Sequence, residues 1–225
     1  MSDTWNAVDD YVGGLVVKPD AALDAALKST AAAGMPPIAV SAAQGKLLHL
    51  IVRMIDAERI LEIGTLGGYS TIWMARALPA GGRIISLEID PRHGEVARAN
   101  LARAGVDGVA EVRIGAALDT LPKLAEEEIG PFDLVFIDAD KANIPDYFRW
   151  GMKLARPGAV IIVDNVIRNG AVLDDSGRDA NVDGVRRLNE LLSTLPDVTA
   201  TTIQTVGSKG YDGFTLALVG GEGPA

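Results

Sequence analysis

The chain lacks cysteine and contains only two histidines, His49 and His93. It can therefore form no disulfide, no thiolate metal site and no cysteine nucleophile. A zinc enzyme would be short of the nitrogen and sulfur ligands that zinc prefers. No apolar run reaches the roughly 18 residues that a membrane span needs, so we expect no membrane partner.

Basic charge is also scarce, since 21 Lys and Arg face 30 Asp and Glu and give a net charge of −9. This balance argues against nucleic acid as a partner. The first residues show no basic region followed by an apolar core, so we expect no signal peptide and a cytoplasmic protein. With 225 residues, of which 48% are hydrophobic, the chain is long enough for one α/β domain over residues 1–225.

The stretch Arg59–Thr71 predicts a buried strand, a glycine turn and the start of a helix. Its three glycines allow a ligand to approach the backbone closely. Ser70 is placed to cap a helix over Thr71–Ala77. The spacing differs from the dinucleotide fingerprint G-x-G-x-x-G. Glu62, inside the strand, suits a ligand with positive charge better than a pyrophosphate.

From Arg59 onward, predicted strands and helices alternate, which implies a parallel sheet covered on both faces. The predicted strands of this sheet are Arg59–Ile63, Arg83–Glu88, Ala110–Ile114, Leu134–Ile137 and Ala159–Val163. Two further strands, Val198–Val206 and Phe214–Val219, predict a hairpin with a long, glycine-rich tip over residues 207–213. Residues 220–225 are predicted to be a frayed tail.

Helices are predicted before the sheet, and they form an N-terminal extension over residues 1–58. Asp20 caps an alanine-rich helix that ends near Gly34. Ser41 and Gln44 form a capping box for the next helix. The alanine-rich helix has little polar surface, so we expect it to pack against the domain or against a second subunit.

Polar or glycine-containing clusters follow all five strands of the predicted parallel sheet. Ligands bind at the carboxyl ends of the strands in such sheets, so these clusters predict a binding site. Glu88 ends the second strand, where a carboxylate can accept hydrogen bonds from both hydroxyls of a ribose. NAD-binding and adenosine-binding folds share this feature. After the third strand, Gly115, Ala116 and Ala117 leave room for a flat ring.

Three hard oxygen ligands follow the fourth and fifth strands: Asp138, Asp164 and Asn165. This ligand type favours Mg²⁺, Mn²⁺ or Ca²⁺ over zinc. Lys141 lies three residues after Asp138 and could act as a general base beside the cation.

These motifs resemble the cation-dependent O-methyltransferases that use S-adenosylmethionine, the group that contains catechol and plant caffeoyl-CoA O-methyltransferases. The resemblance covers about residues 35–218. It rests on Leu61–Thr65 with Gly68–Ser70, on Phe136–Lys141 and on Val163–Val166. It implies the class I methyltransferase fold, a Rossmann-like, doubly wound, seven-stranded sheet with a C-terminal antiparallel hairpin.

The resemblance also implies a role for each residue of the predicted site. The methionine half of the cofactor would contact Val40, Glu62, Gly64, Thr65 and Ser70. Glu88 would bind the ribose, Ala116 the adenine and Asp140 the cofactor's amino group, with Asp138 also at the cofactor. Asp138, Asp164 and Asn165 would bind the metal, and Lys141 would be the catalytic base. Asn169, Arg168 and Lys141 would contact the acceptor, and relatives are commonly homodimers.

The predicted reaction is metal-dependent transfer of a methyl group to one hydroxyl of a vicinal dihydroxy aromatic small molecule. Arg168 stands where the plant enzymes have a substrate-stacking tryptophan, which suggests an acceptor with an anionic group. Three alternatives stay open at this point. They are an NAD-dependent oxidoreductase, a binding protein without catalysis, and methylation of a hydroxylated RNA base.

Overall fold

A seven-stranded mixed sheet forms the centre of the protein, in a computed structural model that describes residues 2–174 and 179–220. The spatial order of the strands is β3-β2-β1-β4-β5-β7-β6, and β7 runs opposite to the other six strands. The strands are β1 (Arg59–Ile63), β2 (Arg83–Glu88), β3 (Ala110–Ile114), β4 (Phe132–Ile137), β5 (Ala155–Asp164), β6 (Val198–Gly207) and β7 (Gly210–Val219). The predicted fold, including the C-terminal antiparallel hairpin, is confirmed.

Helices precede the sheet and cover both of its faces. They are α1 (Ser2–Val16), α2 (Ala21–Ala32), α3 (Ala42–Met54), α4 (Tyr69–Ala75), α5 (Pro91–Arg103), α6 (Ala117–Glu126), α7 (Ile144–Leu154) and α8 (Ala180–Thr194). Two short 3₁₀ segments, Lys141–Asn143 and Arg168–Leu173, follow β4 and β5. No helix in the described ranges is long and apolar enough to cross a membrane.

Alternation along the strands divides the hydrophobic core between the two faces of the sheet. In β1, Ile60 packs into the core beneath α2 to α5. Its neighbours Leu61 and Ile63 pack on the opposite face, beneath α6 to α8. Because side chains alternate between the faces of a strand, Glu62 points toward the α4 face, inside an otherwise apolar layer.

The strand order reverses between β1 and β4, which is where ligands bind in doubly wound sheets. The register aligns Ile63 with Ile137 and Ile137 with Val163, so β1, β4 and β5 end at one edge. The backbone N–H of Asp138 donates to the Ile63 carbonyl at 2.8 Å and extends this pairing by one step. The residues after these three strands are thereby brought together.

The alanine-rich helix α2 packs against the domain, as one of the two sequence-based interpretations proposed. Leu23, Ala26 and Thr30 are buried, and α2 contacts α4 and α5. Helix α1 exposes several apolar residues, among them Tyr11 at 70% and Leu15 at 68%. The Asp9 side chain of α1 accepts a hydrogen bond from the backbone of Ser208 in the C-terminal hairpin.

Two local predictions are wrong. The hairpin has no long tip, because β6 and β7 pair up to Gly207 and Gly210 and leave a two-residue turn. Ser70 does not cap α4, because that helix begins at Tyr69 with Gly68 as its N-cap in the left-handed conformation (φ 80°). Of the predicted tail over residues 220–225, residues 221–225 lie outside the described residues.

Candidate active site

A cavity of about 700 Å³ opens at the carboxyl ends of the parallel strands. Most residues that the sequence predicted for the site line it: Val40, Gly64, Thr65, Ser70, Glu88, Ala116, Asp138, Asp140, Lys141, Asn165 and Arg168. Three others, Glu62, Asp164 and Asn169, are not among the lining residues. Glu62 and Asp164 are buried behind the cavity wall, and Asn169 is exposed.

Gly64 joins the end of β1 closely to the end of β4. Its φ of 101° is a conformation that L side chains rarely adopt. A Cβ atom at this position would lie 2.1 Å from the carbonyl oxygen of Asp138. Only glycine therefore permits the contact that brings Thr65 and Asp138 to one cavity.

Three hydroxyl groups hold the buried carboxylate of Glu62. Ser70 donates to one carboxylate oxygen at 2.5 Å, and Ser86 donates to the other at 2.6 Å. Thr71 donates to the same oxygen as Ser86. The hydroxyl of Thr65 is hydrogen-bonded to that of Ser86 at 2.5 Å, which extends the network. Glu62 thus fixes the side chain of Ser70 directly and that of Thr65 through Ser86. The side chains of Ser70 and Thr65 line the cavity.

Burial changes the acidity of Glu62. Loss of solvation raises its pKa from 4.5 to about 7, and the negative charge of Asp138 adds to the increase. The hydrogen bonds from Ser70, Ser86 and Thr71 act in the opposite direction, because they stabilise the carboxylate. This side chain is therefore held near the boundary between its two protonation states at neutral pH.

Glu88 stabilises the turn after β1 and presents its carboxylate to the cavity. One oxygen accepts the backbone N–H of Leu66 at 2.8 Å, and the other accepts that of Asp90 at 3.0 Å. The His93 ring, which also lines the cavity, lies 3.6 Å from Glu88. Carboxylate oxygens have several lone pairs, so both can still accept hydroxyl groups of a ligand.

Asp140 is held at the cavity by Asn143 and Tyr147. The Asn143 side chain donates to one oxygen of Asp140 at 2.7 Å, and the Tyr147 hydroxyl donates to the other. Burial and this acceptor both raise the pKa of Tyr147 above its usual value. Tyr147 therefore stays a neutral hydrogen-bond donor and fixes the orientation of Asp140.

Lys141 is only 6% exposed, and its ammonium group donates to Asp138 at 2.8 Å. Its backbone N–H donates to the side chain of Asn181 in α8 at 3.1 Å. A Cβ atom at Gly184 of α8 would lie 1.9 Å from the carbonyl oxygen of Lys141. Close packing of α8 therefore fixes the 3₁₀ segment that carries Lys141.

Asp164 is buried next to the charged group of Asp138. Loss of solvation, followed by the Asp138 charge, raises the pKa of Asp164, while the positive charge of Lys141 lowers it. Two carboxylates and the Asn165 amide offer hard oxygen donors, and a cation between like charges relieves their repulsion. This donor set fits a divalent cation, although the described residues contain no cluster of three or more acidic or histidine ligands.

The loop after β5 runs through left-handed backbone before it reaches Leu173. Arg168 and Asn169 both have φ of 55°, and Gly170 has 83°. One oxygen of Asp212 in β7 accepts the backbone N–H groups of Ile167 at 2.9 Å and Arg168 at 3.0 Å. The hairpin thereby determines where Arg168 enters the cavity.

The O-methyltransferase family profile matches residues 16–219 of the chain. The chain belongs to the O-methyltransferase family. A catechol O-methyltransferase of Mycobacterium tuberculosis is 56% identical over 212 residues, which are 94% of each protein. The predicted family and the predicted S-adenosylmethionine-dependent O-methyl transfer are confirmed.

Two solved O-methyltransferase structures are similar over nearly their whole length. The Bacillus cereus enzyme in complex with S-adenosylhomocysteine (SAH) has a TM-score of 0.96 and 52% identity, over 97% of this chain and 100% of that one. TomG of Streptomyces achromogenes, involved in tomaymycin synthesis and in complex with S-adenosylmethionine, has a TM-score of 0.95 and 55% identity. That match covers 98% of this chain and 99% of the other.

Sequence reasoning missed several residues that build the site of this O-methyltransferase. They are Ser86, Tyr147, Asn181 and Asp212. Ser86 left a signal, because it is the one polar residue between the ends of β2 and lies beside Glu62 in the register. The others act through distant contacts that no local pattern indicates.

Proposed function

We propose that this O-methyltransferase transfers a methyl group from S-adenosylmethionine to one hydroxyl of a catechol-like aromatic, with the aid of a divalent cation. The observation that carries the proposal is the convergence of Asp138, Asp164, Asn165 and Lys141 at the ends of β4 and β5. The name of the M. tuberculosis relative supports a catechol acceptor.

The β1–β2 side of the cavity is proposed to hold the cofactor. Glu88 accepts the ribose hydroxyls, and Ala116 lies where the adenine ring would pack. Val40, Gly64, Thr65 and Ser70 face the methionine half, with Glu62 acting through the hydroxyl of Ser70. Asp140 accepts the cofactor's amino group. S-adenosylmethionine supplies an electrophilic methyl group to this arrangement.

The β4–β5 side is proposed to hold the cation and the acceptor. Asp138, Asp164 and Asn165 are the ligands, with Mg²⁺ as the expected metal and Mn²⁺ or Ca²⁺ as substitutes. When bound, the cation supplies positive charge that lowers the pKa of a neighbouring hydroxyl. Two adjacent hydroxyls would be held better than one, which favours catechols over simple phenols.

Lys141 is proposed to be the general base. In its neutral form, Nζ would accept the proton of the acceptor hydroxyl, and Asp138, its hydrogen-bond partner at 2.8 Å, would stabilise the resulting ammonium. The remaining rate enhancement comes from holding the two reactants in one site. Arg168 and the adjacent Asn169 are the proposed acceptor contacts on the loop after β5.

A screen of acceptors with S-adenosylmethionine tests this function. We expect methylation of catechols, little turnover of monophenols, loss of activity in EDTA, and recovery with Mg²⁺ or Mn²⁺. Asp164→Ala should lose both activity and its metal dependence. Full activity on catechols in EDTA would refute the proposed mechanism.

Family membership favours this function over an NAD-dependent oxidoreductase or a binding protein. The net charge of −9 argues against a hydroxylated RNA base as the acceptor.

We also propose a homodimer, on the strength of the exposed apolar residues of α1. Light scattering should give about twice the chain mass of 23.6 kDa at micromolar concentration. A mass near that of one chain would contradict it.

A further inference from the structure

Arg168 lines the cavity, and its guanidinium has no hydrogen bond or ion pair with any residue in the described ranges. The other charged lining side chains do have such partners or a neighbouring charge: Glu88, His93, Asp138, Asp140 and Lys141. Arginine stays charged at every relevant pH. A half-buried charge without a counter-ion is unfavourable, so this guanidinium is available to an anionic ligand.

Asp212 fixes the backbone that carries this guanidinium. Its Oδ1 accepts the N–H groups of Ile167, Arg168 and Gly213, at 2.9, 3.0 and 2.9 Å. Left-handed backbone is disfavoured for residues other than glycine and persists only where other contacts impose it. Asp212 is therefore a positioning residue for the turn at Arg168.

The position of Arg168 relates it to the acceptor rather than to the cofactor. It lies three residues after Asn165, and both line the same cavity as Lys141. Glu88, the proposed ribose contact, ends β2 on the other side of the switch point between β1 and β4. A planar guanidinium can donate two parallel hydrogen bonds to a carboxylate.

We propose that Arg168 binds a carboxylate on the aromatic acceptor, and that Asp212 places Arg168 for this contact. The proposal rests on the proposed catechol methylation and specifies its substrate class as acidic catechols.

A matched pair of acceptors tests the charge requirement. The acid 3,4-dihydroxybenzoate and the neutral 3,4-dihydroxybenzamide have nearly the same size. Any difference in their intrinsic reactivity cancels when the acid-to-amide ratio of kcat/KM is compared between the wild type and a variant. In Arg168→Gln, the preference for the acid in kcat/KM should fall by about tenfold or more, as expected for a lost charged hydrogen bond. Arg168→Lys keeps a positive charge and should retain part of the preference. Both variants keep a long side chain on the same backbone.

Two variants at Asp212 test its positioning role. All three hydrogen bonds reach the same oxygen, so Asp212→Asn can preserve them and should retain the acid preference. Asp212→Ala removes the acceptor and should raise KM for the acid more than for the amide. Neither variant should change the affinity for S-adenosylmethionine, which distinguishes repositioning of Arg168 from general unfolding.

Direct binding separates failure of this inference from failure of the proposed function. Titration calorimetry of both compounds with the enzyme–SAH complex should show tighter binding of the acid, and this difference should disappear in Arg168→Gln. If neither compound is methylated while the acid still binds through Arg168, the proposed reaction fails and the anion site stands. Equal acid preference in the wild type and Arg168→Gln, in turnover and in binding, would overturn the inference.

Discussion

The β1–β2 side of the cavity connects residues that are close in sequence, whereas the β4–β5 side connects segments that are far apart. Glu62 binds Ser70 and Ser86, which are 8 and 24 residues away. By contrast, Lys141 contacts Asn181 at a separation of 40 residues, and Ile167 contacts Asp212 at 45. The Glu62 network at the proposed cofactor site is thus a local unit, although Asp140 of that site follows β4. The supports of Lys141 and of the Arg168 loop exist only in the completed fold.

If the two sides are separate functional units, the largest effect should come from Lys141→Met. This variant keeps the buried stem of the side chain but removes its amine. We expect kcat to fall by about 10²–10⁴-fold, the usual contribution of a general base, while the affinity for S-adenosylmethionine is unchanged. Stopped assays and calorimetry measure the two quantities. Lys123→Met, at an exposed lysine of α6, is the control, and an unaffected kcat in Lys141→Met would exclude Lys141 as the base.

The second prediction concerns stability on the β1–β2 side. Glu62 has a pKa of about 7 in the folded protein and 4.5 ordinarily, so between these values the folded state binds more protons than the unfolded state. The contribution of Glu62 to the free energy of unfolding is therefore favourable at low pH. It is lost as pH rises, by about 3 kcal/mol in total. Glu62→Gln removes this contribution, so the free energy of unfolding of this variant should fall less between pH 5 and pH 8 than that of the wild type.

Urea unfolding at the two pH values measures this difference. Glu95→Gln, at an exposed position of α5, should follow the wild type. Parallel pH profiles for the wild type and Glu62→Gln would show that Glu62 is already ionised across this range.

The smallest of the three effects is expected for Gly184→Ala, which tests the distant contact behind Lys141. The new methyl group would overlap the Lys141 carbonyl, so α8 or the 3₁₀ segment must shift. Overpacking of this kind lowers protein stability by about 1–3 kcal/mol. Displacement of Lys141 should lower kcat without weakening cofactor binding. Gly108→Ala has open space around the new methyl group and should be neutral. Equal behaviour of the two variants would contradict the proposed support of Lys141 by α8.

The same division explains what the sequence could predict. β1, the glycine turn and Glu88 follow from local pattern, because alternation, glycine spacing and strand ends are encoded within a few residues. The metal-ligand candidates followed from strand ends as well. The roles of Asp212 and Asn181 could not be predicted, since each depends on an approach between distant segments.

In both of the wrong local predictions, a glycine has a structural role that differs from the one predicted from the sequence. The glycines of residues 207–213 predict a loop, but Gly213 lies within β7. A Cβ atom at Gly213 would lie 2.4 Å from the carbonyl oxygen of Ile203. This glycine therefore allows β6 and β7 to approach each other closely. At Gly68, glycine serves as the N-cap in a left-handed conformation, which leaves Ser70 free to donate to Glu62 instead of capping the helix.

The antiparallel insertion of β7 between β5 and β6 has a consequence for the order in which the protein matures on the ribosome. The parallel strands and the turn around Glu62 are made early, but β5 keeps an open edge until β7 emerges. The loop that carries Arg168 gains its Asp212 anchor 44 residues after it is synthesised. A nascent chain that ends before β7 would therefore carry the groups proposed to hold the methyl donor, while the place for the acceptor would still be unformed.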